Sequence, residues 1–533
     1  MTMRDRVVKA YERHAGNVSA VSRELGINRS TVRHHLRKAG IGPEDKPLAG
    51  GKLEATKVEQ RPVPRTGVKR YILTSAQNNT YVNEAVWANL MVLAEHYGAE
   101  VLCASYSYNI NAYGKLAVKR GTAKSVEEEL WFDDRVKPFL ERSDQNIELA
   151  PGLVWCGRMN TMPTAVRPLS GFETYTGRKS GIFPHAKLAM ESVASGKGEG
   201  TKMNYTTGTV TQRNYIQKKA GLRAEHYHSY GGLVVEVDAE GRWFVRQLVA
   251  DDDGTIQDLD VMVSDGKVKT GQTVEAITWG DVHVASLDPE VRRLSWGPGG
   301  MLDALKPRFQ FLHDLLDFRA RNHHDRNDPH KRFALWLEGR DRVSDEVADT
   351  ARFLNEVHRD WCHTVVVDSN HDNALLRWLK ETDWRADPPN AEFYLEAQLQ
   401  VLQAIREGDA WFHVVEWALR RADAPSGTRF LREDESFVIC RDRDGGIECG
   451  MHGHLGPHGT RRTPLALSRM GRKANTGHTH SAGILDGMYV AGCSTKLDVG
   501  YNKGPSSWSH SHIVTYPNGK RAIVTMWDGK WRA

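Results

Sequence analysis

Four short segments in the second half of the chain end apolar runs on side chains that can hold metals: GDVH at 280–283, HDLLD at 313–317, SNHD at 369–372 and GHTH at 477–480. A fifth, HGH at 452–454, lies between the last two. Asp, Asn or His at a strand end delivers donors into a cleft, and imidazole nitrogen mixed with carboxylate or amide oxygen suits a divalent transition metal of intermediate softness. Two such ions roughly 3.5 to 4 Å apart clamp the attacking and leaving oxygens of a phosphoryl group, which takes about seven donors. The segments supply Asp281, His283, Asp314, Asn370, His452, His478 and His480. Asp314 is the natural bridge, because one carboxylate can give an oxygen to each ion. The mixed shell points to two divalent cations, Mn²⁺ first, with Fe, Zn or Mg compatible.

The order of these segments resembles the calcineurin-like metallophosphoesterase superfamily, whose pattern runs D-x-H, GD-x-x-D, GNH[DE], a His before Gly, and GH-x-H. The resemblance spans residues 273–533. It implies that Asp281, His283, Asp314 and His480 hold one ion and that Asp314, Asn370, His452 and His478 hold the other. It also implies a general acid in His371, giving its proton to the departing alkoxide, with Asp317 orienting the imidazole by a hydrogen bond. Two positions depart from the pattern: His313 and Ser369 stand where the family carries glycine. Phosphoprotein phosphatases of the superfamily have Arg-Gly after the second Asp of the second motif, whereas Phe318 and Arg319 follow Asp317 here. That substrate class loses ground. Nearby, His323 and His324 are candidates to contact the scissile phosphate or to brace a ligand, with a charged surface loop the equal alternative.

The elements that must position these residues are legible as apolar runs. VEAITWGD ends in Asp281, RFQFLHD in Asp314 and CHTVVVDSN just at Asn370, with helical segments such as RVSDEVADTARFLNEVHRD between them. Asp288 reads as a helix start rather than a ligand. Asn518-Gly519 marks the turn of a C-terminal hairpin. The expected fold class is α/β: a two-sheet metallophosphoesterase sandwich flanked by helices at 273–533, preceded by a middle α/β domain at 67–272. In that middle domain YILTSAQ, NEAVWANLMVLAEHYG and EVLCASYSYN read as strand, helix and strand with parallel pairing, and VVEVD with WFVRQLV as a meander.

The front of the chain has a different character. Residues 1–40 carry nine Lys or Arg against three Asp or Glu, a surplus of six, while the whole chain carries only +5. Val7, Val8 and Tyr11, then Val18, Val21 and Leu25, then Val32 and Leu36 recur at helical spacing, with Gly26 as the turn of a helix-turn-helix. The third helix would turn Arg29, Ser30, Arg33, His34, Arg37 and Lys38 outward toward phosphates and groove edges of DNA. A small bundle for protein contacts is the plainer alternative. Residues 41–66, rich in Pro and Gly, read as a linker.

Six cysteines without CxxC spacing, no apolar leader and no apolar run long enough to span a membrane indicate a cytoplasmic chain with reduced thiols and no membrane partner. A DNA-docking head on a phosphoesterase makes DNA the economical substrate and partner, so a metal-dependent nuclease is expected. Self-association is compatible with a chain of this length. The whole arrangement also resembles early DNA-degrading or DNA-transfer metallophosphoesterases of tailed bacteriophages, which would place it in the cytoplasm of an infected host. The other reading is a DNA-binding regulator or packing protein whose phosphoesterase domain is a scaffold or acts on a small nucleotide.

Overall fold

The computed structural model describes residues 2–14, 18–39, 58–108, 131–143, 145–322, 327–443, 445–460, 464–500 and 502–533. The chain separates into two compact units, Met1–Val58 and Glu59–Ala533.

The first unit is three helices, α1 (Met3–Arg13), α2 (Val18–Leu25) and α3 (Arg29–Lys38). Thr2 and Asp5 form a reciprocal capping box at the start of α1, which satisfies amide donors that the first turn leaves over. Five aliphatic side chains, Val7, Ala10, Val21, Val32 and Leu36, form its core, with Tyr11, Val18, Leu25 and Ile27 packed around them. Ala10, not Val8, takes the inner position on α1. Gly26 turns the chain between α2 and α3 at φ +64°, a conformation that costs glycine nothing.

The second unit is built on sheets. Four parallel strands, Arg429–Phe430, His363–Val366, Phe309–Leu312 and Ala276–Thr278, are continued by the antiparallel hairpin Ser511–Thr515 and Arg521–Thr525. Side chains alternate faces along each strand, and the two faces bury against different layers. Ile277, Leu312, Val366 and Phe430 join a core with the helices Pro289–Trp296, Val343–Val357, Ala374–Glu381 and Val414–Arg421. Ala276, Phe311, Val365 and Leu431 face Ile439, Ile447 and Cys449 of a second, larger sheet. Asp288 caps the helix Pro289–Trp296, accepting from the Glu290 and Val291 amides, as expected.

The larger sheet has eleven strands, and it overturns the expected boundary at 272/273. Its second half, Gly483–Leu485, Met488–Val490, Lys473–Thr476, Ile447–Glu448 and Val438–Ile439, continues directly into strands from 146–206, because Met190–Val193 pairs antiparallel with Gly483–Leu485. An edge strand left open would expose a row of unpaired amides and carbonyls, and here each half of the chain covers the other's edge. The segment 67–272 is thus not a body of its own. Its parallel pair Val68–Gln77 and Glu100–Tyr106 and the hairpin Gly231–Asp238 with Trp243–Val249 are as expected, but they make one four-stranded sheet. Of the expected linker, residues 41–57 lie outside the described residues, and the rest is tied down, Arg61 N–H donating to the Glu148 carbonyl at 2.9 Å.

Arg246 locks this middle sheet from within. Its guanidinium donates twice to Asp258 (both 2.8 Å) and once to Glu236 (2.7 Å), all three side chains being buried. Removing one member of such a group leaves uncompensated buried charge, which costs about 3–5 kcal/mol. Arg246→Ala is therefore expected to lower the unfolding free energy by that amount in denaturant melts; a change under ~1 kcal/mol would show that the network is neutral.

Candidate metal centre

Asp281, His283, Asp314 and His480 come together where the two sheets meet. Each is buried, and one donor atom from each lies within 4.8 Å of the others. His480 Nε2 is 3.0 Å from Asp281 Oδ2, His283 Nε2 is 3.3 Å from His480 Nε2, and His283 Nε2 is 3.4 Å from Asp314 Oδ2. These are the four residues assigned to one ion above. Of the other set, His452 Nε2 lies 3.2 Å from Asp314 Oδ2, the His478 ring stands 5.1 Å from that of His452, and Asn370 keeps a buried carboxamide oxygen without a hydrogen-bond partner among the described residues. His323 and His324 lie outside the described residues.

Strand ends deliver these groups, and the backbone bends sharply to aim them. His283, Asp314, His478 and His480 all have positive φ, between 44° and 73°. For residues with a Cβ this left-handed region costs about 1–2 kcal/mol each, and such outliers gather where surrounding contacts hold a functional geometry. The holding contacts are visible. Gly280 runs so close to Cys493 that a Cβ would fall 2.7 Å from its amide nitrogen, and Ser494 N–H donates to the Asp281 carbonyl at 2.7 Å. At Gly477 a Cβ would fall 2.1 Å from Asp281 Oδ1, so the glycine of GHTH makes room for the carboxylate that the next residue's amide then grips: His478 N–H donates to Asp281 Oδ2 at 2.8 Å.

Three residues that the sequence reading left unassigned complete the frame. Asp372 accepts from the Leu316 amide at 2.8 Å and from Ser369 Oγ at 2.7 Å, tying the SNHD turn to the HDLLD turn. Ser369 thus makes a hydrogen bond that a glycine at this position could not. His313 Nδ1 lies 3.3 Å from His452 Nδ1, behind the imidazole whose Nε2 faces Asp314. A hydrogen bond to one ring nitrogen fixes the tautomer at the other, so with His313 accepting at Nδ1 it is Nε2 of His452 that would give up its proton and offer a lone pair to a cation at the centre. His454 stands beside both His452 and His478, with ring centroids at 5.4 and 6.1 Å. Spacing alone offers no signal for these roles, which depend on which turns meet.

Asp317 serves two imidazoles. Its Oδ1 is 3.3 Å from His283 Nδ1 and 3.7 Å from His371 Nδ1, its carbonyl lies 3.4 Å from His371 Nδ1, and Ser286 Oγ donates to Oδ2 at 2.6 Å. The carboxylate expected to orient His371 therefore orients His283 at closer range. The half-buried His371 meets His283 edge to face at 4.5 Å.

Charge explains what the cluster wants. Burial would raise the Asp314 carboxyl, but His452, His371 and His283 around it hold it well below the ordinary range; Asp281 is lowered too, by His452 and His480 against burial. Conversely, burial lowers His283, yet the Asp317 hydrogen bond and the Asp314 charge bring it up to about 9; His452 reaches about 9 against burial through Asp314 and Asp281. His313, His454 and His478 are pushed down to about 4 by burial and by charged His452. Two ionised carboxylates thus hold two protons on imidazoles as counter-charge. Divalent cations would replace those protons, and the donors, including the unpartnered oxygens of Asp281 and Asn370, fit an imidazole and oxygen shell.

The described α3 side chains Arg29, His34 and Lys38 are exposed. The side chains of Ser30, Arg33 and Arg37 lie outside the described residues, although the three positions fall within α3.

Two outcomes follow for metal binding. The protons on His283 and His452 stabilise the metal-free protein fully below the unfolded imidazole value of about 6.5, and that contribution is lost as the pH rises through about 9. Metal affinity, measured by titration calorimetry, should accordingly rise from pH 6.5 to 9, by up to ~10-fold per pH unit for each proton released; a flat profile would contradict this electrostatic account. Gly477→Ala should weaken metal binding by about 10–100-fold by displacing Asp281, with thermal unfolding still cooperative, and unchanged metal content would show that the close approach is dispensable.

Residues 4–38 match the family model described as bacterial regulatory protein, Fis family. No solved structure matches the chain. Over 506 residues it is 40% identical to Protein A1 of Escherichia phage T5, covering 92% of this chain and 87% of that protein. Among the described residues no helix is long and apolar enough to cross a membrane. With that identity over nearly the full length of both proteins, the chain belongs to the family of phage T5 Protein A1.

Proposed function

We propose that the chain is a metal-dependent DNA nuclease of phage origin, an early protein acting on DNA in the cytoplasm of an infected host. The observation that carries this reading is the buried Asp281, His283, Asp314 and His480 cluster, with His452 and His478 beside it. Asp281, His283, Asp314 and His480 would hold one divalent cation, and Asp314, Asn370, His452 and His478 a second, Mn²⁺ being the first choice for this shell. Bound there, such a pair supplies an activated water and neutralises charge on the phosphoryl oxygens.

The chain's own residues do the rest. His371 Nδ1 faces the Asp317 carbonyl, which leaves Nε2 as the atom that carries a proton to the leaving oxygen. Asp317 holds His371 and His283 in fixed relation, so the acid stays aligned with the cluster. Asp372 keeps the two turns carrying Asp314 and His371 from separating. At the front, the basic surplus of α1 to α3 binds phosphates and raises the local concentration of DNA at the catalytic unit.

The match of residues 4–38 to a family of regulatory proteins favours a second reading, a DNA binder whose phosphoesterase unit acts on a small nucleotide. Incubating the full chain with linear and circular DNA and Mn²⁺, with and without chelator, and in parallel with a cyclic dinucleotide, separates the two. The nuclease reading expects chelator-sensitive loss of DNA; DNA bound but intact with the dinucleotide consumed would establish the other.

Asp314→Ala should abolish cleavage while DNA binding persists in mobility-shift assays, and near-normal cleavage would reject the assignment. His371→Ala should slow cleavage by about 10²–10⁴-fold with metal content unchanged; loss of metal in that variant would make His371 a ligand instead. Burial lowers His371, partly offset by Asp314, so the wild-type rate should fall toward high pH as the acid loses its proton, and His371→Ala should lack that limb.

A further inference from the structure

The helix Ala391–Glu407 has two apolar faces, and the fold uses only one. Phe393, Tyr394, Ala397 and Ala404 are buried, and Tyr394 Oη donates to the carbonyls of Leu379 and Thr382 at 2.7 and 2.9 Å, which fixes the helix's rotation. The opposite face leaves Leu395, Leu399 and Leu402 about half exposed, at 46%, 52% and 53%, and Ile405 on its flank is 70% exposed. Single exposed leucines are ordinary on a protein surface. Three on one stripe, covering about 10 Å of helix, with Ile405 on the flank, are a surface to be covered.

Their spacing says by what kind of element. Positions 392, 395, 399, 402 and 406 alternate by three and four residues, the seam that one helix offers to another in a left-handed pair. The seam is also charged at its ends with opposite sign, Glu392 in the first turn and Arg406 in the last. We propose that this helix is a two-fold contact between two copies of the chain, the helices running antiparallel.

In that arrangement Leu395 of each copy faces Leu402 of the other, Leu399 flanks the axis, and Glu392 meets Arg406 twice, as an isologous contact requires. A parallel pair would instead set Glu392 against Glu392 and Arg406 against Arg406, a like-charge arrangement that disfavours pairing. Among the described residues Glu392 forms no ion pair, and Arg406 reaches only its neighbour Glu407 at 3.7 Å, so both remain available. Glu396 on the flank of the seam is already neutralised by Arg421. Association of this kind would present two metal centres and two basic modules to one nucleic acid, and it stands whether or not the nuclease reading holds.

Sedimentation velocity of the full chain at about 10 μM tests it. The wild type is expected as a dimer or a higher even assembly, and the double variant Leu395→Glu/Leu402→Glu should lower the mass by at least half with unchanged circular dichroism. Glu392→Arg should weaken association by at least about tenfold, and adding Arg406→Glu should restore it. A monomeric wild type, or an assembly unaffected by the leucine substitutions, overturns the proposal. Failure of the second charge reversal to rescue the first overturns the antiparallel pairing. Should the leucine variant misfold, the charge-reversal pair decides alone.

Discussion

Two ionised carboxylates, Asp281 and Asp314, are buried completely at the seam between two sheets, and positive charge has to be brought to them. Burying an isolated charge costs so much that proteins avoid it unless pairing or coordination compensates. Here the compensation comes from imidazoles carried by four turns, those of His283, His371, His452 and His480, and much of the local architecture follows from delivering them. The left-handed backbone at His283, Asp314, His478 and His480, the glycine that clears space at position 477, and the brace from Asp372 to the Leu316 amide each serve that delivery. In the metal-free protein the compensating charge is protons on His283 and His452. The same geometry would suit cations, which bring the compensating charge themselves.

The constraint reaches well beyond the turns. His452, His478 and His480 follow strands of the eleven-stranded sheet, whereas Asp281, Asp314 and Asn370 follow strands of the six-stranded one. The centre is thus only as rigid as the contact between the sheets, where Ala276, Phe311, Val365 and Leu431 meet Ile439, Ile447 and Cys449. Strands from 146–206 extend the same plate, and Gln247 of the middle sheet accepts from the Ile523 amide of the C-terminal hairpin at 2.7 Å. The middle of the chain therefore extends the sheet on which three of the seven donors, His452, His478 and His480, rest.

How much of this the sequence discloses depends on the range of the interaction. Apolar runs that stop at Asp281, Asp314 and Asn370 are local patterns, so the strands are legible from them, as are the three helices at the front with Val21, Val32 and Leu36 inside; the grouping of Asp281, His283, Asp314 and His480 is legible only through the resemblance that the order of the motifs carries. The shared sheet is not, because alternation along Met190–Val193 says which face is buried but nothing about its partner, and that partner lies almost three hundred residues away at Gly483–Leu485. His313 shows the same limit at the scale of a side chain. Beside Asp314 it looks like a departure from a glycine pattern, and only the proximity of His452 turns it into the group that orients that imidazole. Asp317, expected to serve His371, sits closer to His283 for a similar reason: the two rings share one small space, and the turn geometry decides which is nearer.

The central claim is that this cluster exists to hold a pair of cations. Crystals grown with Mn²⁺ and measured at the manganese absorption edge test it most directly. The account predicts one anomalous peak bounded by Asp281, His283, Asp314 and His480, and a second sharing Asp314 with Asn370, His452 and His478. The same side chains in the same places with no anomalous density among them would contradict it, and would leave a buried network of carboxylates and protonated histidines as a structural device alone.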